Sequence, residues 1–271
     1  RRTGTECSKK DQQYCVEKFN EFGLEDVSVV ASKTDLWLCD DWSVAIDDKE
    51  ISTYYMYNSF NDGNYGEFST PDEGITGEIV YVGDGKASDF KNIDVKGKIV
   101  VANAQFIKIP YSLIKGAANL FYDPANTIEG SLMNPYSANT FPDNYYLAME
   151  NGAAGFIGIL SDYIDSNKYN NEDYSWHGGN MEIPGYWVTN AVGNELIELA
   201  ESGEEATLKM SCSIERIDAG AVVGFLYGKS EETIMVQSHY DSATPGALGI
   251  INKKDPIKET ENWSKAYFLV G

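Results

Sequence analysis

The sequence predicts a mixed α/β fold with a partly parallel sheet, and three observations support this class. Short apolar runs bounded by glycine or small residues occur at residues 77–83, 97–104 and 153–160, with the composition of strands buried on both faces. Amphipathic helices are predicted near residues 8–22 and 191–202, each followed by a glycine. Because helices and buried strands are interspersed, we expect short parallel strands toward each end of the chain.

The remaining elements follow from periodicity. Residues 206–214 alternate apolar and polar side chains, which predicts a half-buried strand. Residues 106–146 contain many turn formers and predict a long mixed loop with a helix at 114–120. Other strands are predicted at residues 24–30, 35–46, 183–188, 221–227 and 233–238, and a helix and a buried strand at 257–265 and 266–270.

Charge excludes some partners. The 271 residues contain 42 acidic and 21 basic side chains, which gives a net charge of −21 and a pI near 4.4. Such a surface repels nucleic-acid phosphates and anionic lipid, so neither is an expected partner. The apolar runs are all shorter than the roughly 20 residues that cross a bilayer, so no membrane span is predicted. We interpret Arg1 as an end set by processing or by the boundaries chosen for expression.

The four cysteines leave two alternatives open. Cys7 and Cys15 lie eight residues apart in a predicted helix, about 12 Å of rise, which exceeds the reach of a disulfide. Cys39 and Cys212 lie in predicted strands, where they can pair if those strands are neighbours, or can be buried free thiols.

One short motif has the chemistry of a metal site. The predicted apolar strand 233–238 ends at His239-Tyr240-Asp241, and residues at i and i+2 of an extended chain point to the same face. His239 can ligate a metal while Asp241 accepts the second imidazole N–H and fixes its tautomer. The pattern also fits a histidine at a strand end that simply hydrogen-bonds an aspartate.

This motif and its surroundings resemble the co-catalytic zinc exopeptidases, a family that includes leucyl aminopeptidases, glutamate carboxypeptidase II and the transferrin receptor. His239-Tyr-Asp-Ser242 followed by Pro245-Gly-Ala247 is similar to the first metal motif of that family. The segment from Arg2 through the helix to Gly23-Leu24 resembles its opening. The middle of the chain resembles the protease-associated domain that several members carry, at Gly77–Gly83, Asp94–Val100, Asn151–Phe156 and Ile183–Gly185.

The resemblance implies an incomplete zinc-exopeptidase core interrupted by a β-rich protease-associated domain. The expected division is residues 1–51 for the first core segment, 52–205 for the inserted domain and 206–271 for the continued core. The implied function is hydrolysis of terminal peptide bonds with two zinc ions, with an aminopeptidase favoured, although the residues do not distinguish it from a carboxypeptidase. His239 is the implied zinc ligand and Asp241 its orienting partner. A peptide substrate and a secreted or cell-surface location are implied as well, and the oligomeric state stays open.

The sequence also departs from the family. Residues 246–255 contain no Asp-x-x-Ser-Gly element, whose aspartate bridges both metals in the family, and the Glu-Glu pair that would follow is not reached by residue 271. His177, the second histidine, is expected to be solvated or to pack in a loop, and not to bind metal. We therefore expect the 271 residues alone to bind zinc weakly and to be inactive. The alternative is a receptor or binding protein that retains the peptidase fold.

Overall fold

The computed structural model describes residues 3–118, 122–163, 165–169, 171 and 179–240, and within them residues 135–137 by their backbone alone. The helices are α1 (Glu6–Glu21), α2 (Tyr111–Ala117), α3 (Asp143–Glu150) and α4 (Asn190–Ser202). The strands are β1 (Glu25–Ile46), β2 (Lys49–Glu50), β3 (Tyr54–Tyr55), β4 (Gly66–Ser69), β5 (Ile75–Tyr81), β6 (Ile99–Ala104), β7 (Phe106–Pro110), β8 (Ser131–Ala138), β9 (Gly155–Leu160), β10 (Gly185–Thr189) and β11 (Glu205–Phe225).

Side-chain caps fix the starts of the two longest helices. The Thr5 hydroxyl accepts from the backbone N–H of Ser8 at 3.3 Å at the start of α1, and Thr189 accepts from Val192 at 3.4 Å at the start of α4. Gly203 ends α4 at φ +74°, a left-handed conformation that glycine adopts without a steric penalty. Both predicted amphipathic helices are confirmed.

Nine strands form one mixed sheet. Its order is β2-β1-β11-β5-β6-β9-β10-β3, and β4 pairs with β11 beyond the end of β5. Strands β5, β6, β9 and β10 are mutually parallel, and β1, β11, β4 and β3 join antiparallel. The predicted mixed α/β fold with a partly parallel sheet is confirmed. The three strands with glycine-bounded sequences lie side by side in this sheet, as their composition predicts.

Two hydrophobic cores cover the two faces of the parallel strands. Alternation along β6 sends Ile99 and Val101 to one face and Val100 and Ala102 to the other, and all four are fully buried. Helix α3 packs over the face of Val100, with Tyr145 at its centre. Helix α4 covers the opposite face. This double coverage explains why these strands are apolar at every position.

Strands β1 and β11 form a long antiparallel ribbon that runs out of the core. They pair from Ala45–Thr207 at the inner end to Glu25–Phe225 at the outer end. In the inner half, side chains such as Trp37 and Leu208 are buried in the same core as the parallel strands. In the outer half, residues 25–35 and 215–225, the side chains are exposed or half-buried.

The ribbon consists of two long strands where the sequence predicts four shorter ones. The strands predicted at 24–30 and 35–46 are one strand, and those at 206–214 and 221–227 are another. Strands from residues 1–51, 52–205 and 206–225 therefore share one sheet; the domain boundaries at 51 and 205 stay a prediction. The long loop at 106–146 contains the hairpin β7–β8 beside α2. The helix and strand predicted at 257–270 lie outside the described residues.

None of the helices in the described part of the chain combines the length and the apolar character needed to cross a membrane.

Candidate functional site

The outer half of the ribbon carries the segment that contains the predicted metal ligand. Helix α1 lies against this half, and two glycines of β11 allow the close approach. A β-carbon at Gly220 would fall 2.6 Å from the side chain of Gln12, and one at Gly224 would fall 3.1 Å from the ring of Phe19. Both distances are closer than ordinary contact, so the absence of side chains here lets the helix rest on the strand.

Cross-strand ion pairs set the register of the ribbon next to α1. Asp35 lies opposite Arg216 and Lys33 opposite Asp218, and each pair is joined by a 2.7 Å contact. The hydrogen bond from Arg216 lowers the pKa of the Asp35 carboxyl, and a second bond from the Tyr65 hydroxyl, at 2.9 Å, acts in the same direction. Opposite charges at directly paired positions favour this alignment over a one-residue slip.

His239 follows the ribbon and lies near its outer half. The chain leaves β11 at Phe225, and residues 226–240 continue without regular secondary structure. The hydroxyl of Tyr240 donates to the backbone carbonyl of Gly220, which ties the segment to β11. His239 itself is exposed to solvent. The imidazole is thus accessible beside the strand against which α1 packs.

Asp241, the predicted orienting partner, and His177, the predicted loop residue, both lie outside the described residues. The pairing of His239 with Asp241 stays a prediction.

The strand predicted at residues 233–238 is not formed, and this prediction was wrong. A central strand would bury Ile234 and Val236, whereas 90% and 92% of their surfaces are exposed, and Met235 is 79% exposed. Strand formation requires a neighbouring strand to complete the ladder of hydrogen bonds, and none of the described strands pairs with this run. An apolar composition was therefore not sufficient to predict a strand here, because a strand also needs a neighbouring strand.

The described residues do not by themselves complete a catalytic zinc site. Such a site takes three protein ligands and leaves one position open. Within the described ranges, no group of three or more His, Cys, Asp or Glu side chains is arranged to hold a metal. His239 has the right chemistry and accessibility for one ligand. The other ligands of such a site would have to come from outside the described residues.

Sequence reasoning missed a polar cluster at the carboxyl ends of the parallel strands, where α/β sheets usually bind ligands. The amide of Asn103 donates to the Tyr81 hydroxyl at 2.7 Å and accepts from Ser161 at 2.9 Å. Its backbone carbonyl accepts from Thr140 and from Asn144, which is 1% exposed. The cluster joins the ends of β5, β6 and β9 to α3. The only signal in the sequence was a lone asparagine after an apolar run.

Comparison with known proteins identifies solved structures that share this fold. No family model matches the sequence, and no curated relative matches it. Among solved structures, an aminopeptidase from Aneurinibacillus sp. strain AM-1 aligns with 91% of this chain, at a TM-score of 0.55 and 19% identity. A zinc aminopeptidase from Bacillus subtilis also aligns with 91% of it, at 0.55 and 20% identity. The chain shares its fold with part of these enzymes. It spans about half of their length, 51% of the first and 49% of the second.

Proposed function

We propose that this chain belongs to a zinc-dependent exopeptidase, most specifically an aminopeptidase. The observation that carries the proposal is the fold shared with two aminopeptidases over nine-tenths of the chain. The His239-x-Asp241 motif, found independently in the sequence, supports the same activity. The expected substrates are peptides with an accessible terminus, and the expected location is secreted or at the cell surface.

In this proposal His239 is a zinc ligand and Asp241 accepts its second N–H. An exposed imidazole can reach a metal without rearrangement of the core, and a carboxylate partner makes the imidazole a stronger ligand. Two zinc ions, when bound, would polarise the scissile carbonyl and lower the pKa of a water molecule. The chain's own contribution would be to present the ligand beside β11, where the Tyr240 hydroxyl bonds the carbonyl of Gly220.

The inserted domain, residues 52–205, would cover part of the cleft and limit access to it. The ribbon supports this role because both of its strands run from the core of the parallel sheet to the same outer end. That outer end carries α1 and the His239 segment. The domain is thereby held at a set distance from the proposed ligand.

One observation favours a second candidate, a receptor-like protein with the same fold and no catalysis. Residues 246–255 read Gly-Ala-Leu-Gly-Ile-Ile-Asn-Lys-Lys-Asp, where the resembling family has an Asp-x-x-Ser-Gly element that bridges the two metals. Without that bridge a two-metal centre would be incomplete.

The test uses the longest natural protein that contains this sequence, supplied with zinc and assayed on aminoacyl and carboxyl-terminal reporter peptides. We expect cleavage at the amino terminus, loss of nearly all activity in His239→Ala, and a roughly 10–100-fold lower zinc affinity in Asp241→Asn. His177→Ala, at the other histidine, is the matched control and should keep its activity. The 271-residue chain alone should be inactive.

Equal activity in His239→Ala and in the unmodified protein would refute the assigned ligand. A folded natural protein that neither binds zinc nor cleaves either peptide would instead support the receptor-like alternative.

A further inference from the structure

Two cysteines face each other across the ribbon. Cys39 of β1 is directly opposite Cys212 of β11 in the antiparallel register. Directly opposite residues have α-carbons about 4.5–5.5 Å apart and side chains on the same face. A disulfide needs an α-carbon separation of about 4.4–6.8 Å. Direct opposition in an antiparallel ribbon therefore places two cysteines within the separation that a disulfide requires.

The side chains meet as well. A hydrogen bond between the two thiols, together with burial, raises the pKa of the Cys212 thiol. Cys212 is 3% exposed, whereas Cys39 is half-buried and also donates weakly to the carbonyl of Asp41 at 3.5 Å. The Cys39 sulfur is thus open to reagents, and the buried Cys212 sulfur lies beside it on the core side.

The location of Cys39 and Cys212 in the ribbon gives a disulfide between them a structural consequence. The register shifts between Cys39 and Asp41, which marks an irregularity in β1 next to the pair. On the other side, Trp37 and Leu36 are the last buried residues before the exposed outer half. The pair therefore lies close to the point where the ribbon leaves the core.

We propose that Cys39 and Cys212 form a disulfide that joins β1 to β11 at the base of the outer ribbon. With a small-molecule disulfide such as oxidised glutathione as oxidant, the Cys39 thiolate attacks one glutathione sulfur and releases one glutathione. The Cys212 thiolate then displaces the second glutathione from the mixed disulfide. Two protein thiols become one disulfide, and one small disulfide becomes two thiols that carry the two protons.

The rates of the two steps differ for a structural reason. Attack begins at Cys39, because a reagent can reach it. Closure by Cys212 requires a buried thiol to ionise, so closure should accelerate as pH rises. Once Cys39 carries glutathione, it no longer offers a thiol that can hydrogen-bond Cys212. The largest contribution to the raised pKa of the Cys212 thiol is then removed.

The other cysteines provide an internal control. Cys7 and Cys15 lie in α1, eight residues apart and about 12 Å along the axis, so they cannot pair with each other. Cys7 is exposed and Cys15 is half-buried, so both are open to modification without a partner.

The test treats the 271-residue chain with oxidised glutathione, blocks free thiols and digests it with trypsin without reductant. Trypsin should release residues 34–49 linked to residues 210–216, and after reduction these two peptides should separate. Closed protein should melt at least about 5 °C higher than reduced protein, because the bond closes a long loop. That shift should persist in Cys15→Ser and disappear in Cys39→Ser.

The proposal is overturned if Cys39 stays glutathionylated while Cys212 remains free, or if either residue links to Cys7 or Cys15. A disulfide that forms without raising the melting temperature would refute its role as a structural cross-link. None of these outcomes depends on peptidase activity.

Discussion

The contact between Leu208 and Gly155 tests whether the inner ribbon is part of the core. Leu208 of β11 lies between Val44 of β1 and Ile75 of β5, and it is fully buried. A β-carbon on Gly155 of β9 would fall 2.1 Å from its Cδ1 atom. The leucine side chain therefore fills the space that the glycine leaves over β9. We predict that changing either residue alone destabilises the protein, and that the two costs do not add when both are changed.

The magnitudes follow from packing. Leu208→Ala leaves a cavity in a closed core and should lower the free energy of unfolding by about 3 kcal/mol. Gly155→Ala overpacks the same space and should cost about 1–3 kcal/mol. In the double variant the new methyl group enters the cavity, so the two costs should not add. We expect a coupling of roughly 1–2 kcal/mol in favour of the pair.

The assay is urea unfolding of the four proteins at one pH, followed by tryptophan fluorescence and circular dichroism. Ile234→Ala is the control for loss of an aliphatic side chain, because Ile234 is 90% exposed, and it should change stability by less than about 0.5 kcal/mol. Additive single effects, or a Leu208→Ala variant as stable as the unmodified chain, would refute the packing of β11 into this core.

Two further predictions concern the exposed run 234–236 and the hydrophobic core around α3. Val236→Asp should leave the unfolding midpoint of the chain unchanged, since Val236 is 92% exposed; a large loss of stability would show that this run is buried. Tyr145→Phe should lower the free energy of unfolding by roughly 1–3 kcal/mol, because the buried hydroxyl donates to the carbonyl of Ile183 and accepts from its N–H. Tyr122→Phe, at an 85% exposed tyrosine, is the matched control, and equal stability of the two variants would contradict the buried bond.

Local patterns predicted the parallel half of the sheet well. Residues 99–104 and 155–160 are buried at almost every position, so an apolar run bounded by turn residues was a sufficient signal. Helices α1 and α4 were predicted equally well, because periodicity and a following glycine mark their extent within one stretch of chain.

The ribbon and the site depend on pairing between distant residues. Residues 31–34 read Ala-Ser-Lys-Thr and fall between two predicted strands, yet they extend β1 because residues 217–220 run beside them. The opposite error occurred at 233–238, where apolar composition predicted a strand that no described neighbour completes. His239 was found from its motif alone, whereas its position beside β11 depends on the Tyr240 contact to Gly220, which no sequence pattern indicates.

We propose above that His239 is a zinc ligand in an exopeptidase. Anomalous diffraction at the zinc absorption edge, from crystals of the longest natural protein grown with zinc, tests it most directly. We expect a peak about 2.0–2.1 Å from a ring nitrogen of His239, with Asp241 hydrogen-bonded to the other nitrogen. Zinc bound elsewhere, with His239 left in solvent, would contradict it.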